Sequence, residues 1–282
     1  MKFYKYHALG NDYIVLRASD GADEISPERI VRICHRHFGI GSDGVLLQLS
    51  KNEQGQFPLR IFNPDGSEAE KSGNGLRIFS RCLWDQGEVG TEPFHVLTPG
   101  GLVESHVREN GTNVSVQMGQ VSFDSRNIPV VGPVREVIEE PIEIDGESFC
   151  FTAATIGNPH CVLLREKARK EDAVRFGPAI EVDARFPNRT NVQFMEILDR
   201  NNIRIEIWER GAGYTLASGS SASASAAVAK RLGHCDREVT VHMAGGRLEI
   251  EVDDDYQVKM AGSVTRVAEG EFFEEMLQWK LV

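Results

Sequence analysis

The sequence predicts an α+β protein made of two homologous halves. Three observations carry that prediction. Short motifs recur in order at an offset near half the chain length. Segments of polar–apolar alternation recur late in each half. One helical stretch follows a Ser-Gly step in each half. The 282 residues suffice for two domains that each bury a core, and 41% hydrophobic with 26% charged residues is an ordinary globular composition that argues against disorder.

The repeats come in a fixed order. Gly10-Asn11, in Ala8 to Leu16, matches Gly157-Asn158, in Thr155 to Leu163, at an offset of 147. Arg60-Ile61-Phe62-Asn63 leads to Ser72-Gly73, and Glu206-Ile207-Trp208-Glu209 leads to Ser218-Gly219, at an offset of 146. Pro99-Gly100-Gly101 matches Ala244-Gly245-Gly246 at 145, and Met118-Gly119 matches Met260-Ala261-Gly262 at 142. Four ordered matches with a slowly drifting offset indicate duplication, with the halves related by a pseudo-twofold. On that reading Ser72 and Ser218 are candidates to face one another.

Along the chain, Leu76, Phe79, Ser80, Leu83 and Trp84 have helical spacing after Ser72. Glu104–Val107 and Asn113–Met118 alternate, separated by Glu109-Asn110-Gly111, and read as a β-meander with one wet face. Pro129 to Pro133 reads as a linker or irregular crossing. After Ser218, Ala222 to Leu232 is Ala-rich and nearly uncharged until Lys230-Arg231, which suggests a helix buried inside a sheet. Arg247–Val252 and Gln257–Met260 form a second meander around Asp253-Asp254-Asp255. The tail from Phe272, with alternating Leu277, Trp279 and Leu281, has no counterpart and is expected to pack back on the first half. The domains are therefore drawn as 1–120 with the tail 266–282, and 121–265.

Composition limits the function. With 31 Lys+Arg against 42 Asp+Glu the net charge is −11, which argues against nucleic acid or an anionic membrane as partner. No stretch approaches the ~18 to 20 apolar residues of a membrane span, and the N-terminus lacks a signal peptide's apolar core, so the expected location is cytoplasmic. Five scattered cysteines form neither a disulfide framework nor a zinc pattern. In Cys34-His35-Arg36-His37 the two histidines lie two apart and would point to different faces of a helix, so no metal is expected. Nucleotide, serine-hydrolase and zinc-protease motifs are missing, and no lysine stands in a context that suggests PLP; no cofactor is expected.

The repeated motif has its own chemistry. Ser72-Gly73-Asn74-Gly75 and Ser218-Gly219-Ser220-Ser221 place free amides at helix N-termini, where dipole and N–H groups favour an anion. Two such termini at one cleft would hold the carboxylate of an amino acid or carboxylic acid. Asn63, Asn158 and Asn191 are polar residues flanked by apolar runs, and Glu209-Arg210 follows Ile207-Trp208. An Arg forks onto a carboxylate, while Asn and Glu can hold an ammonium. Taken singly, each Asn also fits an Asx turn, and Glu209-Arg210 a structural ion pair.

At this point the sequence resembles the diaminopimelate epimerase family over almost its whole length. The carrying segments are His7 to Tyr13, Gly39 to Gly44, Phe62 to Glu68, Gly73 to Arg77, Gly157 to His160, Asn188 to Val192, and Trp208 to Gly213. The resemblance implies two pseudo-symmetric domains, each a β-barrel-like sheet wrapped around a central helix. It also implies a PLP-independent isomerase that takes LL- to meso-diaminopimelate, a lysine and peptidoglycan precursor. Substrate binding falls to Asn11, Asn63, Asn158, Asn191, Glu209 and Arg210, with the reacting carboxylate on amides near Gly73, Asn74, Gly219 and Ser220.

The resemblance also implies a cysteine at each of two positions where this chain has Ser72 and Ser218. A thiol, with a reference pKa near ~8.5, is a usable base after a modest shift; a serine hydroxyl needs its own base. His160 and Glu209 are the candidates to assist, completing a catalytic set of Ser72, Ser218, His160 and Glu209. Lys71, Ile78 and Tyr214 also depart from the family pattern, which points to a divergent branch rather than two laboratory substitutions. Three functions follow: epimerisation of diaminopimelate or a similar amino acid; a one-base proton-shift isomerisation or dehydration; or ligand binding without turnover. The expected partner is a small amino acid, and a homodimer is compatible with the scaffold.

Overall fold

The computed structural model describes residues 1–22 and 25–278. The chain forms two compact units. One is Met1–Val116 together with the chain from Gly262 onward, and the other is Gln117–Ala261.

The elements in chain order are as follows. The first unit opens with β1 (Lys2–Ala8), β2 (Asn11–Arg17), α1 (Pro27–Cys34), β3 (Val45–Gln48), β4 (Phe57–Phe62) and β5 (Glu68–Ala69). It continues with α2 (Gly73–Asp85), β6 (Phe94–Thr98), β7 (Gly101–Arg108) and β8 (Asn113–Gln120). The second unit has β9 (Glu140–Ile144), β10 (Glu147–Thr155), β11 (Pro159–Leu164), α3 (Lys170–Glu181), β12 (Asn191–Asp199), β13 (Asn202–Glu209) and β14 (Gly213–Thr215). Then come α4 (Gly219–Arg231), β15 (Glu238–Met243), β16 (Gly246–Val252) and β17 (Gln257–Ser263), after which the chain returns to the first unit with β18 (Thr265–Glu271) and α5 (Glu274–Gln278).

Strand pairing shows the duplication directly. In the first unit the order is β18, β1, β2, β3, β4, β6, β7, β8, with β2–β3 and β4–β6 parallel and the other pairs antiparallel. In the second it is β9, β10, β11, β12, β13, β15, β16, β17, with β11–β12 and β13–β15 parallel. The short β5 adds to β4 as β14 adds to β13. The first strand of each order differs only in origin: β9 immediately precedes its neighbour β10, whereas β18 comes from the end of the chain.

Each half has an inner and an outer helix. α2 contacts β1, β2 and β7, and α4 contacts β10–β13, β15 and β16. Nearly every residue of α4 is buried, and its Ala and Ser side chains let the strands approach closely. α2 fills the same place with Leu76, Ile78, Phe79, Cys82 and Leu83. The outer helix α1 packs Ile30, Ile33 and Cys34 on Ile14, Leu16, Val45 and Phe62. Its counterpart α3 packs Ala173, Phe176 and Ile180 on Phe149, Phe151 and Phe194.

The described part of the tail lies in the first unit, where the sequence reading placed it. Phe272 N–H donates to Met1 O, and the chain then turns into α5. Glu274 and Glu275 in its first turn suit the helix dipole, Leu277 is buried, and its carbonyl accepts from Arg32 Nη1 at 2.6 Å. Trp279 and Leu281 lie outside the described residues. Pro129 to Pro133 is an irregular crossing tied to its own unit by Val131 N–H to Arg185 O, with Ile128 and Val130 buried.

Candidate active site

The two serines are built alike. Ser72 is the N-cap of α2, with φ −140° and ψ 119°, and its Oγ accepts from Gly75 N–H at 3.1 Å. Ser218 is the N-cap of α4, with φ −145° and ψ 124°, and its Oγ accepts from Ser221 N–H at 3.4 Å. A cap satisfies only one of the orphan donors at a helix start. The backbone N–H groups of Gly73 and Asn74, and of Gly219 and Ser220, have no acceptor among the described residues. Each terminus therefore offers two amides and a positive dipole end to an anion. Gly75 must be small, because a Cβ there would press on Ser72 Oγ at 3.2 Å and Leu46 at 3.1 Å.

Around Ser72 the polar groups form a chain. The Tyr13 hydroxyl lies 3.3 Å from Ser72 Oγ. Asn74 Nδ2 donates to Asn11 Oδ1 at 3.0 Å, and Asn11 Nδ2 donates to Asp43 Oδ2 at 2.9 Å. At the other end Arg77 Nη2 donates to Asn74 Oδ1 at 2.5 Å, which fixes the sense of both amides. Arg77 is fully buried, and burial pushes its guanidinium down to about 9, so it stays cationic at neutral pH. Among the described residues its Nε and Nη1 find no acceptor. Burial raises the Asp12 carboxyl, but Lys5 and Arg36 outweigh that and hold it below its ordinary range. Asn63 sits at the exposed β4–β5 turn, its N–H on Ser67 O and its Nδ2 on Ser67 Oγ.

Around Ser218 the chemistry is different. Burial raises the Glu209 carboxyl above its usual pKa, and the Ser218 and Thr215 hydroxyls beside it oppose that only in part. Ser220 Oγ lies 3.4 Å from Ser218 Oγ and accepts from Asn158 Nδ2 at 3.5 Å. His160 Nε2 pairs with Asn158 Oδ1 at 2.9 Å. Burial pushes His160 down to about 3, with Gln193 opposing and the Arg210 charge adding, so the ring is neutral at pH 7. No hydrogen bond joins it to Ser218 among the described residues; it orients Asn158 instead. Asn191 Nδ2 donates to Pro159 O at 2.8 Å, and its Oδ1 accepts from Arg210 N–H at 3.0 Å. Arg210 Nη1 donates to Asn188 O at 2.9 Å, and the rest of its exposed guanidinium has no carboxylate partner among the described residues.

Within the first half the structure thus groups Ser72, Gly73, Asn74 and Asn11. Within the second it groups Ser218, Gly219, Ser220, Asn158, His160, Asn191, Glu209 and Arg210. Sequence reasoning assigned no role to Tyr13, Asp43, Arg77 or Thr215. An arginine inside the apolar run Leu76-Arg77-Ile78-Phe79 was the signal for Arg77. No three His, Cys, Asp or Glu side chains gather as a metal site among the described residues.

Comparison with known proteins sets this arrangement in a family. The family model described as diaminopimelate epimerase matches residues 3–123 and 152–267. The chain belongs to the diaminopimelate epimerase family. A protein from a Nostoc species named diaminopimelate epimerase 2 is 59% identical over 276 residues, covering 98% of this chain and 97% of its own. The diaminopimelate epimerase of Moorella thermoacetica is 40% identical over 277 residues, covering 96% of this chain and 99% of its own. Among solved structures, a hydroxyproline epimerase from Agrobacterium vitis shares the fold with a TM-score of 0.68 at 15% identity, over 96% of this chain and 90% of its own. The chain is therefore an isomerase with a diaminopimelate epimerase-like function.

Proposed function

We propose that this isomerase inverts the α-carbon of diaminopimelate or a close relative through a serine pair. The carrying observation is Ser218 Oγ at the start of α4 beside a half-buried Glu209 carboxyl whose pKa is raised. The substrate's α-carboxylate is held by the amides of Gly73, Asn74, Gly219 and Ser220, and its far amino-acid end by Asn11, Asn63, Asn158, Asn191 and Arg210. Ser218 Oγ takes the α-proton as its own proton passes to Glu209. Ser72 O–H gives a proton to the opposite face and is recharged from the Tyr13 hydroxyl, and after product leaves, water takes the proton from Glu209 and returns one to Tyr13. A base with an elevated carboxyl pKa supplies what serine lacks relative to thiol, each unit of mismatch being worth about 1.4 kcal/mol.

One observation favours a second reading. The first half has Asn63 where the second has Glu209, so only one serine has a carboxylate base. A single base suffices for a proton-shift isomerisation. Incubation with single-stereoisomer diaminopimelate in D2O, followed by NMR, tests both. The proposal requires α-deuteration with inversion. Deuteration with retained configuration, or a new product, moves the case to the one-base reaction. Thermal stabilisation without deuteration contradicts both.

A further inference from the structure

The hairpin that carries Glu209 and Arg210 is fastened by a carboxylate that takes no part in the reaction above. Glu181 is the last residue of α3, and its side chain is only 6% exposed. It accepts from Trp208 Nε1 at 2.7 Å, from Gly211 N–H at 2.9 Å, and from Arg189 Nη2. Its backbone carbonyl accepts from Thr190 N–H at 3.1 Å. One residue thus ties α3 to both sides of the Glu209-Arg210 step and to the loop that presents Asn191.

The place is electrostatically poor for an anion. A helix C-terminus is the negative end of the dipole, and a buried carboxylate loses its hydration. The surroundings are shaped for it nonetheless. Arg189, a non-glycine residue, is held at φ +60°. Gly177, one turn before Glu181, leaves room for Trp208, whose Cγ would lie 2.6 Å from a Cβ there. Among the described residues the first half has no such device. The position 146 residues earlier is His35, whose Nδ1 accepts from His37 and Phe38 N–H groups, and the β4–β5 turn is held by its own Asp65 and Ser67.

We propose that Glu181 is a positioning residue that sets Arg210 and Glu209 for a small carboxylate-bearing amino acid. This rests on the binding and proton-transfer roles proposed for those two residues. Glu181→Gln keeps the volume but replaces one acceptor oxygen by an N–H-bearing nitrogen, which collides with the donor of Trp208 or Gly211.

The test compares Glu181→Gln with Val174→Ala, a change at an exposed position of the same helix outside the cluster on which Trp208 packs. Three readouts are taken: hydrogen exchange of the Arg210 and Gly211 amides, the Trp208 indole N–H resonance, and steady-state kinetics with LL-diaminopimelate. The expected result for Glu181→Gln is an upfield Trp208 resonance, exchange faster by about tenfold at those two amides, and KM raised by about tenfold with kcat much less affected. Val174→Ala should change none of these. In an Arg210→Ala background Glu181→Gln should add little further to KM. Equal exchange and equal KM in the two single variants would overturn the proposal. If the unaltered chain shows no α-deuteration, the epimerase reading fails by itself, and unchanged exchange in Glu181→Gln still overturns the positioning role.

Discussion

The two halves share a backbone and differ in chemistry. Their strand orders coincide, and their N-cap serines agree within 5° in φ and in ψ. Corresponding side chains have nevertheless diverged. Tyr13 and His160 occupy equivalent places, yet Tyr13 reaches Ser72 while His160 holds Asn158. Asn63 corresponds to Glu209, so among the described residues the second half has a carboxylate beside its serine where the first has an amide at the matching position. Arg77 corresponds to Ser223, whose Oγ simply returns to Gly219 O at 2.8 Å. Duplication preserved the geometry that presents a hydroxyl and two amides, because that geometry is set by caps and strand register. The groups that tune proton affinity lie on side chains, which can change without disturbing either.

Breaking the asymmetry at Glu209 should have the largest effect. Glu209→Gln is expected to lower kcat by ~10²–10⁴, the usual contribution of a general base. In the unaltered enzyme kcat/KM should fall on acidification as the Glu209 carboxylate is protonated. That limb should lie above the usual carboxylate range and vanish in the variant; a pH profile checks both points.

Changing the hydroxyl that the two halves share gives the next largest effect. Ser72→Cys with Ser218→Cys should raise the inversion rate by more than about tenfold, since a thiol is far closer to the required pKa. The assay is NMR inversion at matched protein concentration.

The His160–Tyr13 difference should appear in acid stability. His160 has a folded pKa of about 3 against 6.5 unfolded. Below 6.5 the unfolded chain binds a proton that the folded one refuses, so stability contributed above 6.5 is lost as the pH falls towards 3. His160→Gln should flatten that part of a Tm-versus-pH curve. Tyr13→Phe should not.

The smallest effect sharpens the shared part of the comparison. Loss of the cap hydroxyl in Ser72→Ala or Ser218→Ala should cost ~1 kcal/mol each by denaturant titration. Ser72 should cost slightly more, its cap bond being 3.1 Å against 3.4 Å.

The sequence made much of this legible, for identifiable reasons. Repeated Gly and Ser positions mark turns and caps that the backbone requires, so the duplication, both meanders and both inner helices could be read. The return of the tail to the first half was read from its lack of a counterpart, while the short helix anchored by Arg32 answers to tertiary contacts that no local pattern reports. Of the candidate site residues, Asn63, Asn158, Asn191 and Glu209-Arg210 stood out as polar residues beside apolar runs, the serines and their glycines as a repeated motif, and Asn11 by resemblance alone. Their partners did not: Tyr13 and Ser72 lie 59 residues apart, and Glu181 lies 27 before Trp208. No local pattern reports which distant donor meets which acceptor.

The central claim is that Ser72 and Ser218 each serve one face of the same α-carbon. The most direct measurement follows α-deuteration of the LL and meso stereoisomers by Ser72→Ala and by Ser218→Ala in D2O. The account predicts a crossed pattern, in which neither variant inverts and each exchanges the α-proton only of the stereocentre whose hydrogen faces its remaining serine. Loss or retention of exchange at the same stereocentre in both variants would contradict it.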